Sequence, residues 1–158
     1  MIPERVKAIL AAHDLDALEF EPGSTPTSEL AAAKIGVEVG QIAKSMLFKG
    51  KNGSFYLAVC PGDLRVCSKK MKQATGTKVR MARGEETEQV TGYKPGGVCP
   101  FGVERAELLI DIGLADYPLI YPAAGNDASG VPVTFEQLQT ITGARAVDVM
   151  ERDSEPAL

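Results

Sequence analysis

The 158-residue sequence predicts a single α+β domain, a mixed β-sheet with helices around it. Three observations carry that expectation. Segments with strand character outnumber helical ones, and the helices are scattered instead of alternating regularly with strands. Two neighbouring strand-like segments are joined by KGKNG, whose Asn52-Gly53 is a hairpin signal. A Rossmann winding is excluded because no G-x-G-x-x-G opens a helix after a first strand, and no G-x-x-x-x-G-K-[ST] loop occurs.

The elements follow in order. Pro3–His13 reads as a helix with proline in its first turn and Val6, Ile9 and Leu10 on one face. Ala17–Phe20 is expected to be a short strand. Thr27 is placed to cap the alanine-rich helix SELAAAKIGV, which Gly36 and Gly40 end. Ala43–Phe48 and Ser54–Cys60 are the hairpin strands. Ser68 is expected to cap a basic helix that stops near Gly76, followed by a strand over Lys78–Ala82 and a short helix over Glu85–Val90. Beyond the glycine-rich stretch GYKPGGVCPFG, Glu107–Ile112 and Leu119–Ala123 are apolar enough for buried strands. Thr134 and Gln137 have capping-box spacing for a helix ending at Gly143, and Ala146–Val149 supplies a last strand. The folded domain is expected over residues 1–150, and ERDSEPAL, 151–158, as a polar tail that frays.

Composition narrows the function classes. A hydrophobic content of 44% and a charged content of 24% are ordinary for a globular protein. No apolar run approaches the roughly 20 residues that cross a bilayer, and the charged start MIPERVKAIL does not suit a signal peptide. Cytoplasmic residence and no membrane partner are therefore expected. Three cysteines, Cys60, Cys67 and Cys99, match no zinc spacing and suit reduced thiols. His13 is the only histidine, which leaves little for a metal site or a histidine-based triad. The net charge of −4 argues against a general nucleic-acid coat. Yet the segment 64–84 holds seven of the 17 basic residues and no acidic one. Its lysines Lys69, Lys70 and Lys72 are either a solvated helix face or a local phosphate contact.

Four short stretches could carry chemistry. In IAKSMLF, strand alternation puts Lys44, Met46 and Phe48 on one face and Ser45 on the other. Lys44 either snorkels to water or aims a cation into a pocket, and Ser45 lacks the context of a nucleophile elbow. In LLIDIG, Asp111 ends a strongly apolar strand, where a carboxylate is costly unless paired. It either caps the turn into Gly113 or holds Lys44 or a polar group of a substrate. In YPAAGND, small residues and Gly125 form either a tight turn or a place where a ligand approaches the backbone. In GYKPGGVCPFG, Cys99 has no base to lower its pKa and is followed by Pro100, so a structural cysteine is the better reading.

These pieces together, TSELAAAKIGVEVGQIAKSMLF, GYKPGGVCPFG, LLIDIG and YPAAGN with FEQL near the end, resemble the YbaK/ProX family of aminoacyl-tRNA deacylases. That family is related to the editing domain of bacterial prolyl-tRNA synthetases, and the resemblance runs from about Val6 to Val149. It implies hydrolysis of the ester joining a wrong amino acid to the 3′ end of a tRNA, most often tRNA for proline, without metal or other cofactor. It places the family's lysine on Lys44, its glycine–proline loop on Gly96 to Pro100, its buried aspartate on Asp111 and its small-residue turn on Ala124, Gly125 and Asn126.

On that basis Lys44 is assigned to the terminal phosphate or to developing charge, and the Gly96–Gly97 backbone to the reacting ester. Asp111 is assigned to the register of the pocket's polar groups. Thr27, Ser45, Pro100, Ala124, Gly125 and Asn126 are assigned to substrate binding. The expected partners are the aminoacyl-tRNA acceptor end and a prolyl-tRNA synthetase. A non-hydrolytic module binding either partner is the alternative. Family members that remove alanine carry a histidine near the small-residue turn, and ASGVPVTF has none. Those that remove cysteine tend to have an aspartate near Gly130, so the amino acid removed is left open.

Overall fold

The computed structural model describes residues 1–152. Helix α1 (Glu4–Ala12) and the two-residue strand β1 (Leu18–Glu19) lead into α2 (Ser28–Ile35) and a 3₁₀ turn over Val39–Gln41. The hairpin β2 (Ala43–Gly50) and β3 (Phe55–Pro61) follows, then α3 (Ser68–Thr75), β4 (Val79–Met81) and α4 (Gly84–Thr91). After the glycine-rich loop come β5 (Glu107–Asp111), a 3₁₀ turn over Ile112–Asp116, β6 (Ser129–Gly130), α5 (Phe135–Thr142) and β7 (Arg145–Val147).

The expected mixed sheet is present, with strand order β4-β2-β3-β5-β7. β2 pairs antiparallel with both β3 and β4, whereas β3–β5 and β5–β7 are parallel. The hairpin turn is where Asn52-Gly53 placed it. Gly53 takes a φ of +86° and donates its N–H to the Gly50 carbonyl, while Asn52 Oδ1 accepts from the Ser54 N–H.

Alternation along the strands divides the interior into two layers. Ala43, Leu47, Leu57, Val59 and Ile110 face a large core closed by α1, α5 and the glycine-rich loop. Phe48, Tyr56, Ala58, Cys60 and Leu109 face a smaller one, closed by Met71 of α3 and by Val149 and Met150. Both layers are dry, since Leu57, Cys60, Met71, Leu109 and Ile110 have no exposed surface.

The helix caps are local in origin. Thr27 Oγ1 accepts from the Leu30 N–H at 3.2 Å, and Gly36 closes α2 at a φ of +87°. Thr134 and Gln137 form the reciprocal capping box, with bonds of 3.0 and 2.9 Å.

Three expectations are corrected. Ser68 is not a cap but the first residue of α3, and the cap position is Cys67, which makes no side-chain capping bond. Cys67 is drawn into an extended conformation by its own N–H, which donates to the Val149 carbonyl. Leu119–Ala123 is not a sheet strand, because only single bridges form, Ile120 to Val133 and Tyr121 to Ile42. Pro122 has no N–H with which to continue the ladder. The tail does not fray from residue 151, for the Glu151 N–H donates to the Arg65 carbonyl at 2.7 Å and Arg152 is docked. Residues 153–158 lie outside the described residues.

Arg152 is docked on Asp111, whose side chain is fully buried at the end of β5. Asp111 Oδ1 accepts from the Val149 N–H at 2.9 Å, and Oδ2 accepts from the Gly113 N–H at 2.9 Å and from Arg152 at 2.6 Å. Asp148 joins Arg152 at 2.5 Å and Lys70 at 3.0 Å, and Lys70 also reaches the Met150 carbonyl. The carboxylate is thus both a turn cap and the anchor of the C-terminal segment. Asp111→Ala is expected to lower the unfolding free energy by about 3–5 kcal/mol, because it strands two amides and a guanidinium. Urea titration checks this, with Arg152→Ala expected to cost less because its side chain, 21% exposed, leaves a gap that water can reach.

Candidate active site

A cleft of about 480 Å³ opens along the outer edge of β2. Ala43 to Leu47 form its floor, and Thr27, Ser28 and Glu29 at the start of α2 form one wall. Gly84 and Thr87 at the start of α4 and Pro95, Gly96 and Val98 of the glycine-rich loop form the other. Tyr121, Ala123 and Ser129 close its far end. Two helices begin at this cleft, so the positive ends of both dipoles lie at its walls.

Each wall has a local cause. The floor is open because β2 has two partial neighbours on its outer side. Tyr121 pairs at Ile42, and β4 pairs only from Phe48 to Gly50. The glycine-rich loop is held from behind. Its Gly97 is buried, and a Cβ there would lie 2.7 Å from the Asn126 Cα, so the two main chains pack without a side chain between them. Gly125 has a φ of +96°, and a Cβ there would meet Tyr93 and Pro3. The Asn126 Oδ1 folds this second turn by accepting from the Ala128 N–H, and Ser129 Oγ accepts from the Ala124 N–H. The Tyr93 hydroxyl donates to the Phe101 carbonyl at 2.5 Å. The Arg5 guanidinium stacks 4.3 Å above the Tyr93 ring and donates to the Thr91 carbonyl, joining α1 to the loop.

The sequence-predicted residues separate accordingly. Thr27, Lys44, Ser45 and Gly96 line the cleft together. Gly97, Pro100, Ala124, Gly125 and Asn126 do not; Pro100 is buried, and the turn 124–126 backs the loop where Asn126 meets Gly97. The Gly97 N–H is moreover engaged with the Lys94 carbonyl at 3.0 Å, so it is not the donor expected for the ester. The Gly96 N–H makes no hydrogen bond among the described residues, and Gly96 turns into the cleft at a φ of +92°. Asp111 is outside the cleft, and its carboxylate serves Val149, Gly113 and Arg152, not Lys44.

Lys44 is exposed at the cleft and makes no ion pair among the described residues. Ser45 Oγ is the one buried side-chain polar atom without a hydrogen-bond partner among them. Lys69 and Lys72 are exposed on α3, which packs on the smaller core and contributes no residue to the cleft, while Lys70 holds the C-terminal segment.

Sequence reading missed the α4 wall, Tyr121 and the rim residue Met81, which is 59% exposed. No short-range spacing marked them, because the open edge of β2 depends on where Tyr121 and β4 stop. The rim is stiffened by Glu86, which takes both Arg80 guanidinium nitrogens at 2.9 and 3.0 Å and the Arg83 N–H at 2.9 Å. The Arg80 hydrogen bonds, with that of Arg83, hold the Glu86 carboxyl down to about 2. No group of three or more His, Cys, Asp or Glu side chains among the described residues is placed to hold a metal ion.

The family model of the aminoacyl-tRNA editing domain matches residues 22–141, a span that contains every residue lining the cleft. The chain belongs to the aminoacyl-tRNA editing-domain family. Among similar proteins, the uncharacterized protein YwhH of Bacillus subtilis (strain 168) is 37% identical over 85% of this chain and 86% of its own length. EbsC of Enterococcus faecalis, named as a candidate Cys-tRNA(Pro)/Cys-tRNA(Cys) deacylase, is 26% identical over 80% of this chain and 79% of its own. A crystal structure described as that of a candidate trans-editing enzyme for prolyl-tRNA synthetase superposes with a TM-score of 0.84. The two are 31% identical over 96% of this chain and 100% of the other. The editing-domain fold and the α+β fold expected from sequence are therefore the same. No helix among the described residues is long and apolar enough to cross a membrane.

Two outcomes test the editing-domain site as described. Burial pushes the Cys99 thiol up to about 11 and raises Cys60 further, with the nearby Asp111 charge adding to the effect on Cys60. Iodoacetamide at pH 7.5 is therefore expected to label Cys67 alone in the folded protein, as read by mass spectrometry, and all three thiols in denaturant. Gly97→Ala is expected to cost about 1–3 kcal/mol in a thermal melt, since its methyl must displace the Asn126 backbone.

Proposed function

We propose that this chain is a free-standing deacylase that hydrolyses mischarged aminoacyl-tRNA, with tRNA for proline as its tRNA, and that it needs no metal. Water adds to the carbonyl carbon of the ester at the 3′ end, the bond to the ribose oxygen breaks, and the products are the free amino acid and the ribose hydroxyl. One observation carries the reading: the cleft of this editing-domain fold combines main-chain donors with an unpaired lysine and holds no histidine or cysteine nucleophile. An activated ester suits such a site, because positioning and charge stabilisation matter more than a strong nucleophile.

In this mechanism the Gly96 N–H stabilises the charge that develops on the carbonyl oxygen. Lys44 balances the terminal phosphate or that developing charge, aided by the N-termini of α2 and α4. Thr27 and Ser45 contact the substrate from the wall and the floor. Asp111, Gly97, Pro100, Ala124, Gly125 and Asn126 act behind the site by fixing the loop and the strand ends. The names borne by EbsC and by the trans-editing structure support an ester substrate on tRNA and a link to prolyl-tRNA synthetase. Lys69 and Lys72 would meet a more distant part of the tRNA, and cytoplasmic residence follows from such a substrate.

A panel of tRNA for proline charged with cysteine, alanine, serine or proline tests this. At least one mischarged species is expected to be deacylated well above its spontaneous rate, and Lys44→Ala is expected to lower kcat/KM by ~10²-fold or more without shifting the melting temperature. Binding without turnover across the panel would instead support a non-hydrolytic module for the acceptor end or the synthetase.

A further inference from the structure

We infer that the aminoacyl group binds to the open edge of β2 at Ser45 as one residue of an antiparallel strand, so that the site requires a free α-ammonium group. This rests on the deacylase reading above and adds to it the atoms that would read the substrate.

The main chain of β2 points alternately to its two sides. The Ala43 N–H donates outward to the Tyr121 carbonyl at 3.2 Å, and the Leu47 carbonyl accepts from the Ala82 N–H at 2.9 Å, also on the outer side. Lys49 faces Arg80 of β4 there too. Odd-numbered residues therefore turn their N–H and C=O outward, whereas Lys44, Met46 and Phe48 turn theirs to β3. Ser45 lies midway between the two outer partners, and neither of its main-chain groups has a hydrogen-bond partner among the described residues. Its Oγ, buried and also unpartnered, lies at the same place. One residue thus brings three unmatched hydrogen-bonding groups to the floor of the cleft, where such groups are otherwise satisfied.

The length of the opening selects the occupant. Tyr121 and Ala82 hold the edge on either side of Ser45, so a peptide strand has no room to continue the ladder. An aminoacyl ester has the N–Cα–C=O skeleton of a single residue. Set opposite Ser45 it forms the doubly bonded pair of an antiparallel ladder, its ammonium donating to the Ser45 carbonyl and its ester carbonyl accepting from the Ser45 N–H. The outward carbonyl of Ala43 and the carboxylate of Glu29 on the facing wall add negative potential for the ammonium. The Lys44 side chain reaches the cleft from the other face of the strand, by the alternation that sets Met46 and Phe48 against the smaller core. The Ser45 N–H would then polarise the carbonyl under attack, alongside Gly96.

The test uses the wild-type protein and the best-hydrolysed species of the tRNA panel, with and without N-acetylation, each rate divided by its own spontaneous rate. The free-amine substrate is expected to be accelerated, and its N-acetyl derivative about tenfold to a hundredfold less, the loss of hydrogen bonds to a charged group. Equal acceleration of both would overturn the inference and leave the deacylase reading standing; acceleration of neither would remove the reading on which it rests.

Ser45→Pro separates the donor from the hydroxyl. An outward N–H on an edge strand is a position where proline is tolerated, so the fold is expected to survive, as read by its melting temperature. Ser45→Pro is expected to lose at least tenfold in kcat/KM on the free-amine substrate, while Ser45→Ala keeps the discrimination against the N-acetyl ester. A folded Ser45→Pro with unchanged kcat/KM overturns the main-chain role. Should it fail to fold, the wild-type and Ser45→Ala comparison decides alone.

Discussion

Strand β2 has no continuous neighbour on its outer side, and the site depends on that interruption. A strand edge presents unsatisfied N–H and C=O groups that proteins ordinarily pair or cover. Here the covering is done by two short pieces, the Tyr121 bridge and β4, each of which stops short of the middle of the strand. The first is limited to the N–H and C=O of Tyr121, and the chain turns from β4 into α4 to end the second. The gap between them opens at Ser45. Had either partner been two residues longer, the cleft floor would be an ordinary sheet.

The rest of the molecule keeps the walls of that gap in place. The glycine-rich loop is stationed by a direct main-chain contact, Gly97 against Asn126, which no side chain could reproduce. Arg5 and Tyr93 join the same loop to α1. Two strands across the sheet from β2, Asp111 gathers the turn after β5, the Val149 amide and Arg152 around one buried carboxylate. A charge with no exposed surface survives there because each oxygen has donors within hydrogen-bond distance. These contacts do not touch the cleft. They determine which groups face it.

Much of the fold was legible because its causes are local. The Asn52-Gly53 turn, the Thr27 cap and the Thr134–Gln137 capping box depend on residues a few positions apart, and each formed where expected. Leu119–Ala123 misled because apolarity reports burial, not pairing, and a proline next to its last residue outweighs it. Ser68 misled because Cys67 is held by Val149, far along the chain. Thr27, Lys44, Ser45 and Gly96, expected at the site, do line the cleft, whereas Gly97 and Ala124–Asn126, expected to meet substrate, pack behind it. A stretch rich in glycine and small residues signals close approach of two chains without saying whether the second is ligand or protein.

By itself, the sequence determined the α+β class, the hairpin, the capped helices and the membership of an editing-domain family, all consequences of short-range spacing and of motifs along one chain. Tertiary structure alone decided the partner of Asp111, since Arg152 reaches it across 41 residues that no pattern connects. It alone decided that the Gly97 N–H is engaged and the Gly96 N–H is not, and that the main chain of Ser45 is left unpaired. Hydrogen-bond availability is a property of what stands opposite a group. For an interrupted sheet edge, that is settled only when distant segments arrive and stop.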